Sequence, residues 1–261
     1  MTTTAIKKKK GDSVDTGPRA GTAKGRRTRS TVMAAAGGAR TGSAEGALAL
    51  AERPFCWAFL AVNVAACAAT WSRMPAAEWL GCALVALAVA EASTSLFHYW
   101  GDRRVFARWP LFCHYDRAYA RHHRDPDDIV ASGPMGYAQW VGDVALLPVC
   151  APLWLRLACD GSHPGTLACA LLWVCTFIAM AADTHRLAHC ARSDVPAVAR
   201  LFQRWGLLLS AESHGKHHEL VRRTGRLGYF SVLTGWSNRL QDLVGLGDAP
   251  RPGDRADHHG D

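Results

Sequence analysis

Four long segments of the chain are almost free of charged residues and alternate with polar links. The first, Phe55–Trp71, and the fourth, Thr166–Ala182, contain no charge, and residues 77–97 and 137–159 are the second and third. A helix that crosses a membrane needs about 20 predominantly apolar residues, within a range of roughly 17–25. The pattern therefore predicts an all-α fold, an integral membrane helical bundle of about four spans.

The second and third segments contain polar interruptions. Glu91 lies within the second segment, and because a carboxylate in contact with lipid is costly, we predict that it faces the bundle interior or the functional site. The third segment matches the pattern of a span least well, since a proline inside a helix removes a backbone hydrogen bond. Its interruptions are Asp143, Pro148, Pro152 and Arg156.

Residues 196–209 show a different pattern. Apolar side chains recur there at helical spacing, and polar ones lie on the other side, after a proline at position 196. This arrangement predicts an amphipathic helix that lies on the membrane surface. A surface helix of a soluble domain is the alternative, which the neighbouring apolar segments disfavour. The apolar positions are Val198, Leu201, Phe202, Trp205, Leu208 and Leu209.

The net charge of +8 belongs to the N-terminal part of the chain. Residues 1–40 contain ten Lys and Arg and two Asp, whereas the remainder contains twenty basic and twenty acidic residues. The folded part is therefore neutral, which removes the main support for a nucleic-acid partner.

Composition divides the chain into three parts. Residues 1–50 are low in complexity and poor in large apolar residues, so we predict a disordered basic tail. Its basic, hydroxyl-rich composition is typical of an organelle transit peptide, and a plain basic tail is the alternative. Residues 51–247 are predicted to form the membrane domain, and residues 248–261 a polar C-terminal tail.

Eight histidines lie in four short boxes, each at an end of an apolar segment or just outside it. His185 and His189 have the i, i+4 spacing that places two rings on one helix face, and the last box fits within one helical turn. In a four-span topology all eight share the arginine-rich face, which is the cytosolic or stromal face by the positive-inside rule. The eight are His98, His122, His123, His185, His189, His214, His217 and His218.

Imidazole rings in this number point to a metal centre, because imidazole binds iron, zinc and copper. Eight nitrogens are more than one ion uses, so we predict two ions. Structural zinc sites are usually four-coordinate and rich in cysteine, whereas the nine cysteines here are scattered without a C-x-x-C pair. The pattern favours two irons that bind dioxygen, with all eight histidines as metal ligands and catalytic residues. One such histidine alone is more often a core or interfacial residue.

Three carboxylates lie close to the boxes. Asp102 follows His98 by four residues. We predict that it contacts a ligand ring on the side away from the metal and so orients the ring. Asp183 and Glu212 are similar candidates. The alternative for each is an ordinary solvated or helix-end charge.

Some cations and histidines near the boxes have less definite roles. Arg103, Arg104 and Arg121 either hold a lipid phosphate or only reflect the positive-inside distribution. His114 and His163 are not assigned to the metal centre.

The boxes carry a resemblance to the Kua-type lipid desaturase family. The similarity covers about residues 95–242 and includes the spacing between the boxes. Each motif alone is weak, but the set is specific. The motifs are FHYWGD at 97–102, HHRDP at 122–126, THRLAH at 184–189, SHGKHH at 213–218 and YFSVLTGWSN at 229–238.

This resemblance implies a membrane desaturase that uses two irons, dioxygen and electrons from a separate donor, ferredoxin or cytochrome b5. The family has two known activities on phospholipids. One introduces a trans double bond next to the carboxyl end of palmitate in phosphatidylglycerol of plastids, and the other makes the vinyl ether of plasmalogens from plasmanylethanolamine. The chain resembles the plastid branch more closely, because Gly206 stands where the animal branch has His and the last box lacks an extra preceding His.

The resemblance and the tail together imply a chloroplast membrane, with the endoplasmic reticulum as the alternative. Two other functions remain open from the residues. A di-iron membrane hydroxylase uses the same ligands but leaves oxygen in the product. A non-catalytic metal-binding or scaffold protein of the membrane consumes no oxygen.

Overall fold

The computed structural model describes residues 44–110, 112–136, 139–160, 164–224 and 228–247, with the side chains of 44–52 and 224 excepted. Residues 1–43 and 248–261, which hold most of the two predicted tails, lie outside these ranges, as does His163. Within them every regular element is a helix. The helices are α1 Ala44–Trp71, α2 Ala76–Asp102, α3 Cys113–His122, α4 Asp128–Ala131, α5 Gln139–Cys159, α6 Thr166–His189, α7 Ala197–Arg204, α8 Ala211–Thr224 and α9 Trp236–Leu243.

In the described part of the chain, four helices are long and apolar enough to cross a membrane, which confirms the predicted bundle. Their candidate spans are Arg53–Trp71, Ala76–Asp102, Gln139–Cys159 and Thr166–His189. Helix α1 begins at Ala44, so residues 44–50 are helical although we predicted a disordered tail there. Helices α2 and α6 continue past the apolar segments and carry their histidine boxes on the same helix.

Helix α6 is central in the bundle. It packs against α1, α2 and α5, and α1 packs in turn against α5. One core cluster contains Phe59, Cys150, Cys175 and Ala179, and its cysteines are buried as small apolar side chains. The small side chains of Cys150, Cys175 and Ala179 allow the helices to approach closely in a membrane.

At the end of the bundle away from the histidines, side-chain contacts connect the helices to one another. The Arg73 guanidinium donates to the carbonyl oxygens of Leu157 and Asp160, both at 3.1 Å, and so binds carbonyls at the end of α5. The indole N–H of Trp79 donates to Thr70 Oγ1 at 3.0 Å. Its ring is 4.9 Å from that of Trp173, in an aromatic cluster typical of a membrane interface.

The carboxylates inside the spans face protein, as predicted for Glu91. Glu91 is fully buried, and its Oε1 accepts hydrogen bonds from the backbone N–H and hydroxyl of Thr234, while Oε2 accepts one from Ser237 at 2.8 Å. Asp143 is also fully buried and accepts a hydrogen bond from Gln139 Nε2 at 2.7 Å. Helix α5 is continuous through both of its prolines.

The predicted amphipathic helix is shorter than residues 196–209. Helix α7 ends at Arg204, and Gly206 adopts a left-handed conformation with a φ of 71° that ends the helical path. Val198 and Trp205 are exposed, as expected for a membrane-facing side, but Leu209 is fully buried in the protein core. The prediction that Leu209 shares the membrane-facing stripe is therefore wrong.

Residues 228–235, which we call the cap segment, lie against the histidine-bearing ends of α2 and α6. The hydroxyls of Thr94 and Ser231 are 3.0 Å apart, and the Thr184 hydroxyl donates to the Val232 carbonyl at 2.7 Å. Gly235 has a φ of 77°, and a side chain there would lie 2.8 Å from a methyl group of the buried Leu209. Hydrogen bonds to both helices thus hold this extended segment beside the boxes.

Candidate metal centre

The structure brings all eight predicted histidines together at one end of the bundle. They come from the C-terminal ends of α2, α3 and α6 and from the middle of α8. Their nitrogens form two groups, and within each group the potential ligand atoms lie within 4.8 Å of one another. The five-histidine group contains His122, His185, His189, His214 and His218, and the mixed group contains His98, Asp102, His123 and His217.

In the five-histidine group the Nε2 atoms face one another. His214 Nε2 lies 2.8 Å from His185 Nε2 and 3.0 Å from His218 Nε2, and His218 Nε2 is also 3.0 Å from His122 Nε2. A neutral imidazole carries one N–H, so these contacts cannot all be hydrogen bonds. Nitrogens bound to one ion at about 2.1 Å and at right angles lie roughly 3.0 Å apart. The spacing therefore fits a shared metal ion.

The mixed group is organised around a buried carboxylate. Asp102 Oδ1 lies 2.6 Å from His123 Nε2, and Oδ2 lies 3.1 Å from His98 Nδ1. The ring of His217 is 4.9 Å from that of His98, and on its other side it stacks on Phe230 at 4.2 Å. Asp102 thus hydrogen-bonds the His123 ring, lies close to the His98 ring and adds an oxygen atom to the group.

The surroundings keep these rings neutral. Burial lowers the pKa of His122, His214 and His218 below its usual value, and the neighbouring histidines lower the pKa of each further. A neutral ring keeps the lone pair that a metal requires. Among the described residues, the buried His98 Nε2 and His189 Nε2 have no hydrogen-bond partner. Buried polar atoms in native proteins are nearly always satisfied, so the donor set fits two metal ions.

An apolar cavity adjoins the five-histidine group. It has an empty volume of about 810 Å³, which includes its open mouth. His185 forms part of its wall, and Gln139 and Thr94 are among its few polar residues. Sequence reasoning missed this cavity, because its wall combines residues from four helices and the cap segment. Other lining residues are Phe97, Phe112, Tyr115, Tyr119, Gly142, Leu146, Ile178 and Val232.

A family model described as the lipid desaturase domain matches residues 58–247. The chain belongs to the lipid desaturase family. Comparison with curated proteins and with solved structures gives no significant match. The match and the four spans together identify a membrane-bound lipid desaturase, an oxidoreductase whose substrate is a membrane lipid and whose histidine groups are compatible with a metal cofactor.

In this desaturase, histidines that are adjacent in sequence belong to different groups. His122 and His123 fall in different groups, and so do His217 and His218. Successive residues of an α-helix point about 100° apart, because a turn contains 3.6 residues. The last box is therefore divided, with His214 and His218 in the five-histidine group and His217 in the mixed group.

The other predicted carboxylates make contacts away from the rings. Asp183 accepts hydrogen bonds from Arg186 Nε at 3.0 Å and from the Met135 amide at 3.2 Å, so it positions the loop before α5 rather than a histidine. Glu212 is exposed and pairs with Lys216 at 2.7 Å. It therefore matches the alternative interpretation given above, an ordinary solvated charge.

The three arginines that we considered as binding residues for a lipid phosphate lie in different surroundings. Arg103 lies over the Tyr99 ring at 4.3 Å, and Arg121 pairs with Asp128 at 2.9 Å. Arg104 adopts a positive φ of 55° in the turn after α2. His114 lies 3.0 Å from an Arg117 nitrogen and belongs to neither histidine group of the desaturase.

A second, polar cavity adjoins the mixed group. It has an empty volume of about 1530 Å³ that includes its open mouth, and His217 and Phe230 form part of its wall. Helices α7, α8 and α9 surround it. Sequence reasoning assigned no helix to residues 236–243, although the spacing of Trp236, Leu240 and Leu243 is helical.

Proposed function

We propose that the protein is a di-iron desaturase that introduces a double bond near the glycerol end of a phospholipid chain. The observation that carries this proposal is the position of His185, which belongs to the five-histidine group and also lines the apolar cavity. A hydrocarbon chain in this cavity lies directly beside the metal-binding nitrogens. The eight histidines are the proposed ligands and catalytic residues, with Asp102 in contact with His98 and His123.

The residues of the chain have separate tasks in this proposal. Asp102 fixes the orientation of two rings, and burial keeps the rings neutral for binding. The cavity wall positions the lipid chain and excludes water, which protects a reactive centre from side reactions. Two irons bound here would supply the redox chemistry for removing two hydrogens from adjacent carbons, as dioxygen, two external electrons and two protons yield two waters.

We infer that the substrate is palmitoyl-phosphatidylglycerol and the product its trans-3 unsaturated form. The supporting features are the similarity to the plastid branch at Gly206 and in the last box, together with the basic, hydroxyl-rich N-terminal sequence. Gly206 and His217 both line the polar cavity, so this branch-dependent position shares a cavity with one of the proposed ligands. A chloroplast membrane and ferredoxin as the electron donor follow from the same inference.

Head-group-resolved lipid mass spectrometry tests this function. Cells that contain phosphatidylglycerol and a plant-type ferredoxin system are compared with and without the protein. We expect a phosphatidylglycerol species two mass units lighter that survives mild acid. A lighter ethanolamine ether lipid that releases aldehyde in acid would instead establish the plasmalogen activity. A gain of one oxygen would establish a hydroxylase, and unchanged lipids with the protein present would favour a scaffold.

Narrowing the apolar cavity should impair turnover without unfolding the bundle. Gly142 lines the cavity, and a side chain there has open space around its first carbon, so Gly142→Leu is tolerated but occupies substrate volume. A size misfit between a chain and an apolar pocket costs about 1–3 kcal/mol in transition-state binding, which corresponds to a fall in kcat/KM of roughly 5- to 150-fold.

Gly81→Leu is the matched control for this change. Gly81 also lies in a span, is exposed and has open space around it, but it is not part of the cavity wall. Desaturation assays on the purified proteins should show normal kcat/KM for Gly81→Leu. Equal values for both variants would exclude the cavity as the chain-binding site.

A further inference from the structure

We propose that the polar cavity beside His217 binds the phosphate group of the substrate lipid, and this proposal rests on the function proposed above. Three helices each contribute one cation to the cavity: Arg204 at the end of α7, Lys216 in α8 and Arg239 in α9. Cations that converge from separate elements form a site only through the tertiary fold. Arginine is well suited to such a site, since its planar guanidinium binds phosphate through two hydrogen bonds.

The two arginines are available to a ligand. Lys216 pairs with Glu212 at 2.7 Å, whereas Arg204 and Arg239 form no ion pair with any carboxylate that the structure describes. Ser210 also lines the cavity and supplies a neutral hydroxyl. Two carboxylates also line the cavity, Glu212, which Lys216 neutralises, and Asp242. An anionic ligand that binds beside Arg204 and Arg239 therefore meets two unpaired cations and a neutral donor.

Exposed apolar residues place the mouth of this cavity at the membrane surface. Trp205 follows α7 and Trp236 begins α9, and both line the cavity with about half or more of their surface exposed, 62% and 49%. Leu240 and Leu243 continue the exposed face of α9 at helical spacing. Tryptophan and leucine on an amphipathic helix insert at the boundary of head groups and acyl chains. Lipid phosphates lie at this same depth.

The position of the metal centre relative to both cavities fits the same ligand. The His98 ring is 4.9 Å from that of His217, which lines the polar cavity, and 5.9 Å from that of His185, which lines the apolar cavity. The two metal-binding groups thus lie between a polar and an apolar compartment. A lipid with its phosphate in the first and its chain in the second has its first chain carbons at the metal centre.

Lipid binding to the full-length, metal-loaded protein tests this proposal without relying on turnover. Binding of dipalmitoyl phosphatidylglycerol is measured by native mass spectrometry of the protein in detergent. Hydrogen bonds between a guanidinium and a phosphate are charge-assisted and strong, so Arg204→Gln with Arg239→Gln should weaken binding by at least about tenfold. Arg204→Lys with Arg239→Lys keeps the charges and should restore most of it.

The matched control removes two positive charges elsewhere. Arg222→Gln with Arg223→Gln changes exposed α8 residues that lie near Glu219 and outside the cavity, and should leave lipid binding unchanged. Equal lipid affinity of the two Gln double variants would overturn the proposal. Unchanged metal content shows that weaker binding does not reflect unfolding.

A competitor separates the two sources of phosphate. If free glycerol 3-phosphate displaces the lipid from the wild type but not from the Arg204→Gln, Arg239→Gln variant, the phosphate alone is recognised. If it fails to compete while the variant still loses lipid affinity, the site requires a membrane-anchored phosphate. Arginine-dependent binding without any desaturated product would refute the proposed function but keep the binding site.

Discussion

Replacing His217 by Ala is expected to abolish desaturation and to remove one of two metal ions. His217 belongs to the mixed group with His98, Asp102 and His123, whereas the five-histidine group contains none of these residues. Loss of one of the three rings in this group leaves too few ligands for tight binding, and changes even to residues that only orient ligands typically cost about 10–100-fold in metal affinity or activity. The five-histidine group keeps all its donors.

Metal analysis of purified protein, together with lipid mass spectrometry, measures this result. The wild type should contain two irons for each chain, and His217→Ala one, with turnover reduced more than about 100-fold. His189→Ala should weaken binding of the other ion, because His189 belongs only to the five-histidine group, where four rings remain. His114→Ala is the control, since His114 contacts Arg117 instead of either group, and it should keep both ions and full turnover. Two irons or normal activity in His217→Ala would refute the two-ion assignment.

Replacing Glu91 by Ala is expected to release the cap segment and destabilise the protein by several kcal/mol. The change removes the acceptor of three hydrogen bonds, from the Thr234 backbone and hydroxyl and from the Ser237 hydroxyl, all in buried positions. A buried donor left without an acceptor costs about 1–3 kcal/mol, and the cavity left by the lost carboxylate adds to this cost. Since the cap segment carries Phe230 against His217, metal retention should fall as well.

Thermal unfolding in detergent and metal content after dialysis measure the effect of Glu91→Ala. Glu91→Gln keeps an oxygen for both Thr234 donors, and the Ser237 hydroxyl is able to accept from the new amide, so we expect most of the stability to return. Glu78→Ala, near the opposite end of the same helix, removes the acceptor of the Thr166 hydroxyl at a half-buried position and should lower the unfolding temperature less than Glu91→Ala. Wild-type stability in Glu91→Ala would show that the cap segment is held by other contacts.

Glu91 also shows why a charge inside a span is informative. Its position in an apolar segment was sufficient to predict that it faces away from lipid, because the cost of exposing a carboxylate to hydrocarbon does not depend on the fold. Its partners Thr234 and Ser237 lie more than 140 residues later in the chain. No local pattern connects these positions, so only the folded chain identifies Glu91 as the anchor of the cap segment.

The histidines show the same difference between what the sequence predicts and what only the folded chain decides. Their number, their spacing and their place at the ends of apolar segments predicted one metal centre on one side of a membrane, since a four-span topology leaves few alternatives. The assignment of each ring to a group depends on where its helix points. His122 and His123 are adjacent in sequence but separate in space, because neighbouring residues on a helix face different directions.

The sequence by itself determined the all-α class, the four spans, the eight histidines that meet at one end of the bundle and the lipid desaturase family. These follow from local hydropathy, spacing and motifs, each of which depends on residues close together in the chain. Only the tertiary structure decided the two groups, the end of α7 at Arg204, the helical face of α9 and the two cavities on either side of the metal centre. These features arise where side chains from distant helices meet, and packing at such contacts depends on three-dimensional shape rather than on the order of residues.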